Sequence, residues 1–213
     1  MRCPLCRSDD CRPFFRDRRR DYLRCGQCRL VFVPPDQYLD RQAEQAEYDL
    51  HENAVDDPGY RRFLGRVFDP LRARVPAPAT GLDFGCGPGP ALAAMFEEAD
   101  YDMALFDVFY APDRAVLTPG SYDFVTATEV FEHLHHPGQE IEGLLRLLRP
   151  GGWLGVMTKR VIDRQAFAGW HYKNDLTHVC FFSEATFQRI AERFGLHLEI
   201  VGKDVVLLQK PAQ

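Results

Sequence analysis

The chain has no long hydrophobic run. None of its apolar stretches approaches the roughly 18 residues needed to cross a bilayer, and its first residues, MRCPLC, lack the apolar segment of a secretion signal. We therefore expect a cytoplasmic protein with no membrane partner. In that compartment the seven cysteines are expected to be metal ligands or buried thiols, because disulfides are rare there.

Acidic residues are few at one end of the chain. The 213 residues carry a formal charge of −5, yet residues 1–33 contain nine arginines and four aspartates, a net of +5 that leaves −10 for the remainder. With 46% hydrophobic residues, a chain of this length can bury one good core and carry a small appendage. We expect two unequal domains, the smaller one basic and N-terminal.

Four cysteines near the N-terminus have the spacing of a metal site. The sequences CPLC at 3–6 and CGQC at 25–28 are two CxxC turns separated by 18 residues, which is typical of a zinc ribbon. Four thiolates leave no open coordination position, so the metal is expected to be structural. We predict that zinc is bound by Cys3, Cys6, Cys25 and Cys28. Cys11 is predicted to lie outside the site.

An arginine cluster, RDRRR at 16–20, lies between the two CxxC turns. Arginines on a zinc ribbon can bind nucleic acid, but a solvated loop on a very small domain has the same composition. We favour the loop, because Asp17 and Asp21 interrupt the cluster and no aromatic residues alternate with the basic ones, as base stacking requires. RNA binding is kept as the alternative.

Two prolines, Pro34 and Pro35, end the ribbon, since they cannot continue a strand ladder. Apolar residues with helical spacing follow at 37–51 and 60–75. The predicted domains are a zinc ribbon over 1–34 and a second domain over 35–213, in which helical residues 35–78 precede a core at 79–213.

The most informative stretch is LDFGCGPG at 82–89, a short apolar run, an acid and three glycines ahead of a helical segment. It indicates a buried strand that ends in a tight turn, with glycines where the backbone needs positive φ or where a ligand approaches the main chain. Asp107 ends the next strand-like run, about 18 residues after the last of these glycines, where a carboxylate can bind both hydroxyls of a ribose. The stretch therefore predicts a nucleoside site.

The glycines are spaced GxGxG, whereas dinucleotide sites usually have GxGxxG. This spacing resembles motif I of the class I S-adenosylmethionine-dependent methyltransferases, and the resemblance extends from about residue 37 to residue 210. It implies an α/β, Rossmann-like fold with a doubly wound, mainly parallel, seven-stranded sheet and S-adenosylmethionine as cofactor. By position, it implies cofactor contacts from Asp83, Gly85, Cys86, Gly87, Gly89, Asp107, Thr128 and Glu129.

Later segments match the same family in order. The predicted elements are a strand at 122–128, a helix at 140–148 that RPGG separates from a strand at 153–158, a helix at 183–194, and a hairpin of strands at 197–201 and 205–209. A third strand has only Ala115–Leu117 as its candidate, and no acid that could contact the adenine is evident there. Because the family builds a lid from the helices before the first strand, Tyr48, His51 and Tyr60 are candidates to face the site.

Methyl transfer from a sulfonium is an in-line displacement, so the protein must align the reactants and, for some acceptors, remove a proton. His133 is the candidate catalytic base, because it follows a central strand at the edge where open α/β sheets bind ligands. A capping or packing role for His133 fits the sequence equally well. Glu129, Glu132 and His133 also form ExxEH, which with His178 resembles metal-assisted RNA 2′-O-methyltransferases and some quinone O-methyltransferases. Such groups can hold a second divalent ion that acidifies a hydroxyl.

The sequence is compatible with three functions. The preferred one is methyl transfer to a hydroxyl or carbon of a small-molecule acceptor, whose pocket the long segment at 159–182 would shape. The second is an RNA methyltransferase that grips phosphate with the arginine-rich ribbon. The third is a non-enzymatic, cofactor-binding interaction module, which is weakened by the retained glycine turn and Asp107. No NPPY-like sequence follows the predicted strand at 122–128, which argues against exocyclic base amines as acceptors.

Overall fold

The computed structural model describes residues 1–50 and 54–212. His51, a candidate lid residue, lies outside them. The helices are α1 (Arg41–Tyr48), α2 (Pro58–Arg72), α3 (Ala91–Glu97), α4 (Pro137–Leu147), α5 (Arg164–Ala168) and α6 (Glu184–Phe194). The strands are β1 (Cys11–Arg16), β2 (Asp21–Cys25), β3 (Val31–Phe32), β4 (Thr80–Phe84), β5 (Asp102–Phe106), β6 (Tyr122–Thr128), β7 (Leu148–Met157), β8 (Cys180–Phe181), β9 (His197–Val201) and β10 (Val205–Gln209).

Six strands form the central sheet, in the order β5-β4-β6-β7-β10-β9. Strands β5, β4, β6 and β7 run parallel, and β10 is antiparallel to both β7 and β9. Parallel strands joined through helices make a Rossmann-like α/β sheet. The antiparallel edge is the hairpin predicted at 197–201 and 205–209.

The described part of the chain places six strands in this sheet, where seven were expected. The candidate third strand at 115–117 is instead a 3₁₀ turn, Arg114–Val116, which Asp113 caps by accepting a hydrogen bond from Ala115 N at 2.9 Å. Only 15 residues separate β5 from β6. A crossover between parallel strands takes a dozen or more residues by itself, so this segment cannot supply a further strand as well.

Apolar side chains pack on both faces of the sheet. On one face, the Phe124 ring lies 4.7 Å from that of Phe96 in α3, and Leu71 of α2 belongs to the same buried cluster. On the other face, Val125 packs in a cluster with Leu144 of α4. Neighbouring strand residues point to opposite faces, so the near-continuous apolar run of β6 buries both layers.

The N-terminal residues form a second, four-stranded sheet in the order β1-β2-β3-β8. Its last strand comes from far along the chain, since Val31 pairs with Phe181 and Phe32 with Cys180. Neither β1 nor β8 was predicted from the sequence. Buried residues of this small sheet belong to the same apolar cluster as one face of the central sheet. The N-terminal segment is therefore packed against the rest of the protein.

Most helix ends follow the sequence signals. Helix α6 begins with a capping box between Ser183 and Thr186 and ends at Gly195, which has a φ of 64°. Strand β7, however, begins at Leu148, so RPGG lies within the strand and not ahead of it. The register with β6 shifts at that point, and Gly151 has a φ of 79°. Among the helices of the described residues, none has the length and apolarity to cross a membrane.

Candidate active site

A cavity of about 1090 Å³ opens at the carboxyl ends of β4, β5 and β6. One wall consists of the turn after β4 and the loop after β5. A second wall is formed by residues after β6 and by the segment from His171 to His178. Helix α1 borders both walls, since the ring centroid of Tyr48 lies 5.7 Å from that of Phe109 and 5.2 Å from that of His133. Open α/β sheets bind ligands at this edge, because the loops that follow neighbouring strands diverge there. The cavity is therefore the candidate active site.

The turn after β4 depends on glycine at two positions. Gly85 and Gly87 have φ values of 75° and 63°, which residues with a side chain rarely adopt. A Cβ on Gly85 would lie 2.4 Å from Val130 Cγ2, whereas a Cβ on Gly87 would meet nothing within 4 Å. Gly85 thus lets the turn pack against the loop after β6. Gly87 leaves bare main chain beside open space.

Asp107 follows β5 directly and is held by three backbone N–H groups. Its Oδ1 accepts hydrogen bonds from Phe109 N at 2.8 Å and Tyr110 N at 3.1 Å, and its Oδ2 accepts one from Gly87 N at 3.1 Å. These bonds fix the carboxylate beside the glycine turn, in the wall of the cavity. A carboxylate fixed in this way can accept further hydrogen bonds from a ligand.

Six of the eight residues expected to contact the cofactor line the cavity: Gly85, Cys86, Gly87, Asp107, Thr128 and Glu129. Gly89 is buried in the turn. Asp83 is 4% exposed and accepts a hydrogen bond from Thr126 Oγ1 at 2.7 Å. Burial raises the pKa of Asp83 to about 6. Asp83 therefore ties β4 to β6 behind the wall and does not form the surface of the cavity.

Two glutamates after β6 share one tyrosine. Tyr172 donates a hydrogen bond to Glu132 Oε1, and its hydroxyl lies 3.3 Å from Glu129 Oε2. Burial raises the pKa of Glu129 to about 7 and that of Glu132 to about 8, and the charge of Glu129 adds to the shift of Glu132. The pair therefore carries fewer than two negative charges at neutral pH. Glu129 also has a φ of 51°, a strained conformation of the kind found at active sites.

His133 lies in the cavity wall. Its ring centroid is 5.2 Å from that of Tyr48 in α1 and 4.6 Å from that of His178. His178 Nδ1 lies 2.7 Å from Tyr172 O, and burial lowers the pKa of His178 to about 4, so its ring is neutral at pH 7. Ligand atoms of Glu132, His133 and His178 lie within 4.8 Å of one another. Glu129, the fourth group expected at a metal, is not part of this set of described residues.

The sulfur atoms of Cys3, Cys6, Cys25 and Cys28 also lie within 4.8 Å of one another. Two of the Sγ–Sγ distances, Cys3–Cys28 and Cys6–Cys25, are 3.5 Å. A tetrahedral zinc ion with bonds of about 2.3 Å spaces its thiolates about 3.8 Å apart, so the four side chains fit such an ion. Cys11 is outside the group, with its Sγ 3.5 Å from Ser8 O.

Comparison with known proteins places this geometry in a family. Residues 59–200 match the family model described as a methyltransferase domain. The chain belongs to this methyltransferase family. Among curated relatives, the ubiquinone biosynthesis O-methyltransferase of Aeromonas salmonicida is 30% identical over 141 residues, which cover 62% of this chain and 59% of that protein. Its namesake from Sodalis glossinidius is 33% identical over 88 residues, 41% of this chain and 35% of that protein. The chain thus spans less than two thirds of the length of these relatives.

Solved structures show the same fold. One is 1,6-didemethyltoxoflavin-N1-methyltransferase from Burkholderia thailandensis with bound 1,6-didemethyltoxoflavin and S-adenosylhomocysteine. It has a TM-score of 0.57 at 16% identity and covers 94% of this chain and 99% of its own. An O-methyltransferase family protein from Burkholderia thailandensis has a TM-score of 0.56 at 14% identity, covering 82% of this chain and 61% of its own. At these identities the likeness establishes the Rossmann-like methyltransferase fold.

Lys159 and Tyr172 of this methyltransferase site lie in the segment at 159–182 that was expected to shape the acceptor pocket, but the sequence assigned neither of them a role. Lys159 Nζ lies 3.2 Å from His171 Nε2 and 5.0 Å from the centroid of the Tyr172 ring. Lys159 comes two residues after β7, at the edge where ligands bind, so topology alone could have identified it. No local signal marks Tyr172, because its partner Glu132 lies 40 residues earlier in the chain.

Proposed function

We propose that this protein transfers the methyl group of S-adenosylmethionine to a hydroxyl group or carbon atom of a small molecule. The observation that carries the proposal is the two-walled cavity. The glycine turn and Asp107 form the wall that suits a nucleoside, while Glu129 and His133 lie on the wall that would face a second substrate. Membership in the methyltransferase family supports this assignment.

The residues of the first wall fit the cofactor. A Cβ at position 87 would occupy open space beside the turn, so glycine keeps that space free for a ligand. Asp107, fixed by three N–H groups, can accept hydrogen bonds from both ribose hydroxyls. In the second wall, Thr128 and Glu129 would face the methyl-bearing end of the cofactor. When bound, the cofactor supplies an electrophilic methyl group.

An aromatic hydroxyl is the acceptor that we favour. The curated relatives are named as O-methyltransferases of ubiquinone biosynthesis, which supports an oxygen atom as the acceptor. The rings of Tyr48, Tyr60 and Phe109 line the cavity of this chain, and aromatic side chains pack well against a flat ring. A catechol or related phenol is therefore the acceptor class to test first.

His133 would remove the proton of that hydroxyl, either directly or through a divalent ion. In the second version, Glu132, His133 and His178 hold the ion, since their ligand atoms converge within 4.8 Å. Three protein ligands leave open positions for the oxygen of an acceptor. In that version Glu129 does not bind the ion and keeps its expected role as a contact of the cofactor.

We also propose that Cys3, Cys6, Cys25 and Cys28 bind one structural zinc, and that residues 1–34 form a zinc ribbon while residues 35–213 form the methyltransferase domain against which it packs. The proposed location is the cytoplasm, where such thiolates stay reduced. The arginine cluster supports a small-molecule acceptor over RNA. Arg20 is only 5% exposed, and its guanidinium is hydrogen-bonded to main-chain carbonyl groups. Fewer cations are therefore free to grip phosphate than the sequence indicated.

The proposed function is tested by titrating the purified protein with S-adenosylhomocysteine in a calorimeter and then assaying methyl transfer to catechols. We expect one bound S-adenosylhomocysteine per chain and a methylated catechol detected by mass spectrometry. A folded protein that does not bind S-adenosylhomocysteine would contradict the proposal. Tight RNA binding with steep salt dependence would favour the RNA alternative instead.

A further inference from the structure

A buried arginine of the N-terminal hairpin reaches into the segment that forms the second wall of the cavity. Arg20 follows the turn between β1 and β2 and is 5% exposed. Its guanidinium donates four hydrogen bonds to main-chain carbonyl groups: Nη1 to Leu176 O at 2.9 Å and His178 O at 3.0 Å, and Nη2 to Lys173 O at 2.7 Å and Asp175 O at 2.8 Å. One side chain thus fixes most of the backbone from 173 to 178.

This segment carries side chains that line the cavity. Asp175 and His178 lie within it, and Tyr172 directly precedes it. A single 3₁₀ turn, His171–Asn174, is its only regular structure before β8 begins. Its conformation therefore depends on bonds from elsewhere, since few of its carbonyl groups belong to a helix or sheet ladder.

The effect extends from the backbone to the groups proposed to handle the acceptor. His178 Nδ1 lies 2.7 Å from Tyr172 O, and the Tyr172 hydroxyl donates to Glu132. A shift of the backbone that Arg20 holds would move Tyr172 and His178 together. It would leave the glycine turn and Asp107 in place, because no hydrogen bond of the described residues joins them to this segment.

A side chain of the segment also contacts the hairpin. Lys173 Nζ lies 3.4 Å from Asp17 Oδ2 and 5.5 Å from the centroid of the Phe15 ring. The other oxygen of Asp17 accepts a hydrogen bond from Arg20 N at 2.9 Å.

Burying the guanidinium of Arg20 against neutral carbonyl groups carries a desolvation cost. The planar fork of arginine can serve four acceptors at once, which a lysine ammonium cannot do.

We propose that Arg20 is a positioning residue of the methyltransferase site, through which the N-terminal hairpin sets the acceptor-side wall. The hairpin then has a role in catalysis that differs from nucleic-acid binding. The proposal rests on the proposed function for its link to catalysis, while the link between Arg20 and the segment stands on the contacts alone.

The experiment compares Arg20→Ala, Arg20→Lys and wild type by hydrogen–deuterium exchange with mass spectrometry on the full chain. In both variants we expect amide exchange in peptides covering 171–178 to quicken by about tenfold or more, as expected for loss of charge-assisted hydrogen bonds. Peptides covering the glycine turn and Asp107 should exchange at the wild-type rate. S-adenosylhomocysteine affinity, measured by calorimetry, should also stay unchanged.

Two additions separate positioning from a general loss of structure. Arg18→Ala, at an exposed position of the same turn, is the matched control and should exchange as wild type does. Guanidinium ion at non-denaturing, millimolar concentration should slow the exchange of 171–178 again in Arg20→Ala, because it can occupy the vacated site, and should not change it in Arg20→Lys.

Once a methyl acceptor has been identified, both Arg20 variants should show lower turnover at saturating S-adenosylmethionine. Guanidinium should restore the turnover of Arg20→Ala. Wild-type exchange over 171–178 in both variants would overturn the proposal, whatever their activity. Unchanged turnover with quickened exchange would overturn the catalytic link. If Arg20→Ala does not fold, the result in Arg20→Lys decides. Because exchange needs no acceptor, failure of the proposed function alone would leave this readout intact.

Discussion

Asp107 is held in place before any ligand arrives, because three main-chain N–H groups orient its carboxylate. We predict that Asp107→Ala weakens S-adenosylhomocysteine binding by at least tenfold, since hydrogen bonds to a charged acceptor contribute about 1.5–3 kcal/mol each. Calorimetry measures the change. Asp113→Ala, which removes a cap in the same loop outside the cavity, should bind as wild type does. Unchanged affinity in a folded Asp107→Ala would contradict the ribose assignment.

Asp83 is a buried acid whose ionisation is disfavoured by the fold. Its pKa is raised to about 6 by burial, against about 3.9 for an unperturbed aspartate. Protonated Asp83 therefore makes its full contribution to the free energy of unfolding below about pH 4. This contribution is lost as the pH rises through 6. We predict that Asp83→Asn is more stable than wild type at pH 7 by on the order of 2–3 kcal/mol, at about 1.4 kcal/mol per pKa unit.

At pH 4 the two proteins should be about equally stable. Urea unfolding of the apo forms from pH 4 to pH 8 measures the difference in the free energy of unfolding. The amide oxygen introduced by Asp83→Asn can still accept the hydrogen bond of Thr126, so that contact is controlled. A difference that does not vary with pH would show that the ionisation of Asp83 does not limit stability.

Residues with local signatures could be predicted from the sequence, and residues whose role depends on distant partners could not. The positive φ values of Gly85 and Gly87 and the position of Asp107 follow from a strand, a turn and a spacing within 30 residues. Arg20 was expected on a solvated loop. Its four carbonyl partners lie more than 150 residues away, so no local sequence pattern indicates that its side chain is buried. Composition showed only an arginine cluster, whose buried member is indistinguishable from its exposed neighbours.

Among the elements, strands with clear apolar patterns were located, although β7 begins five residues earlier than predicted, and β1 and β8 were missed. The hairpin at 197–201 and 205–209 has the predicted bounds, since alternation and a turn define it. Strand β8 has two residues and exists because it pairs with β3, which no periodicity reveals. The missing third strand follows from the length of the β5–β6 connection, which the sequence also contained.

The N-terminal sheet is the element that we expect to depend most on the proposed zinc. Its strands are two to six residues long, too short to be stable without additional constraints. We predict one zinc per chain by elemental analysis. Cys25→Ser should lose zinc and lower the melting temperature, because three thiolates remain around a site built for four.

Cys11→Ser is the matched control, since Cys11 lies in the same sheet but outside the sulfur cluster, and it should keep both zinc and stability. Zinc-free wild-type protein, or full zinc content in Cys25→Ser, would reject the ribbon. Retained zinc with a lower melting temperature in Cys25→Ser would show that this cysteine stabilises the sheet by packing and not as a ligand.

At the scale of the whole molecule, the two walls of the cavity come from different parts of the chain and have different supports. The cofactor wall is built from two adjacent strands and their turns. The acceptor wall joins the residues after β6 and the segment at 171–178, which the N-terminal hairpin holds through Arg20. Substitutions in the second wall, other than at Thr128 and Glu129, should therefore change acceptor chemistry while cofactor binding persists.

The separation of the two walls allows a general base at His133 to be distinguished from a metal centre. We predict that His133→Ala lowers turnover on a catechol by about 10²-fold or more, as loss of general base catalysis does, with S-adenosylhomocysteine affinity close to wild type. If His133 acts alone, turnover is insensitive to mild dialysis against a weak chelator, and His178→Ala is less damaging. If Glu132, His133 and His178 hold an ion, dialysis abolishes turnover, Mg²⁺ or Mn²⁺ restores it, and His178→Ala is about as damaging as His133→Ala.

Zinc content must be followed throughout, because loss of the zinc proposed at Cys3, Cys6, Cys25 and Cys28 would lower activity by destabilising the fold. Near-wild-type turnover in His133→Ala would exclude both versions and leave alignment of the reactants as the source of catalysis.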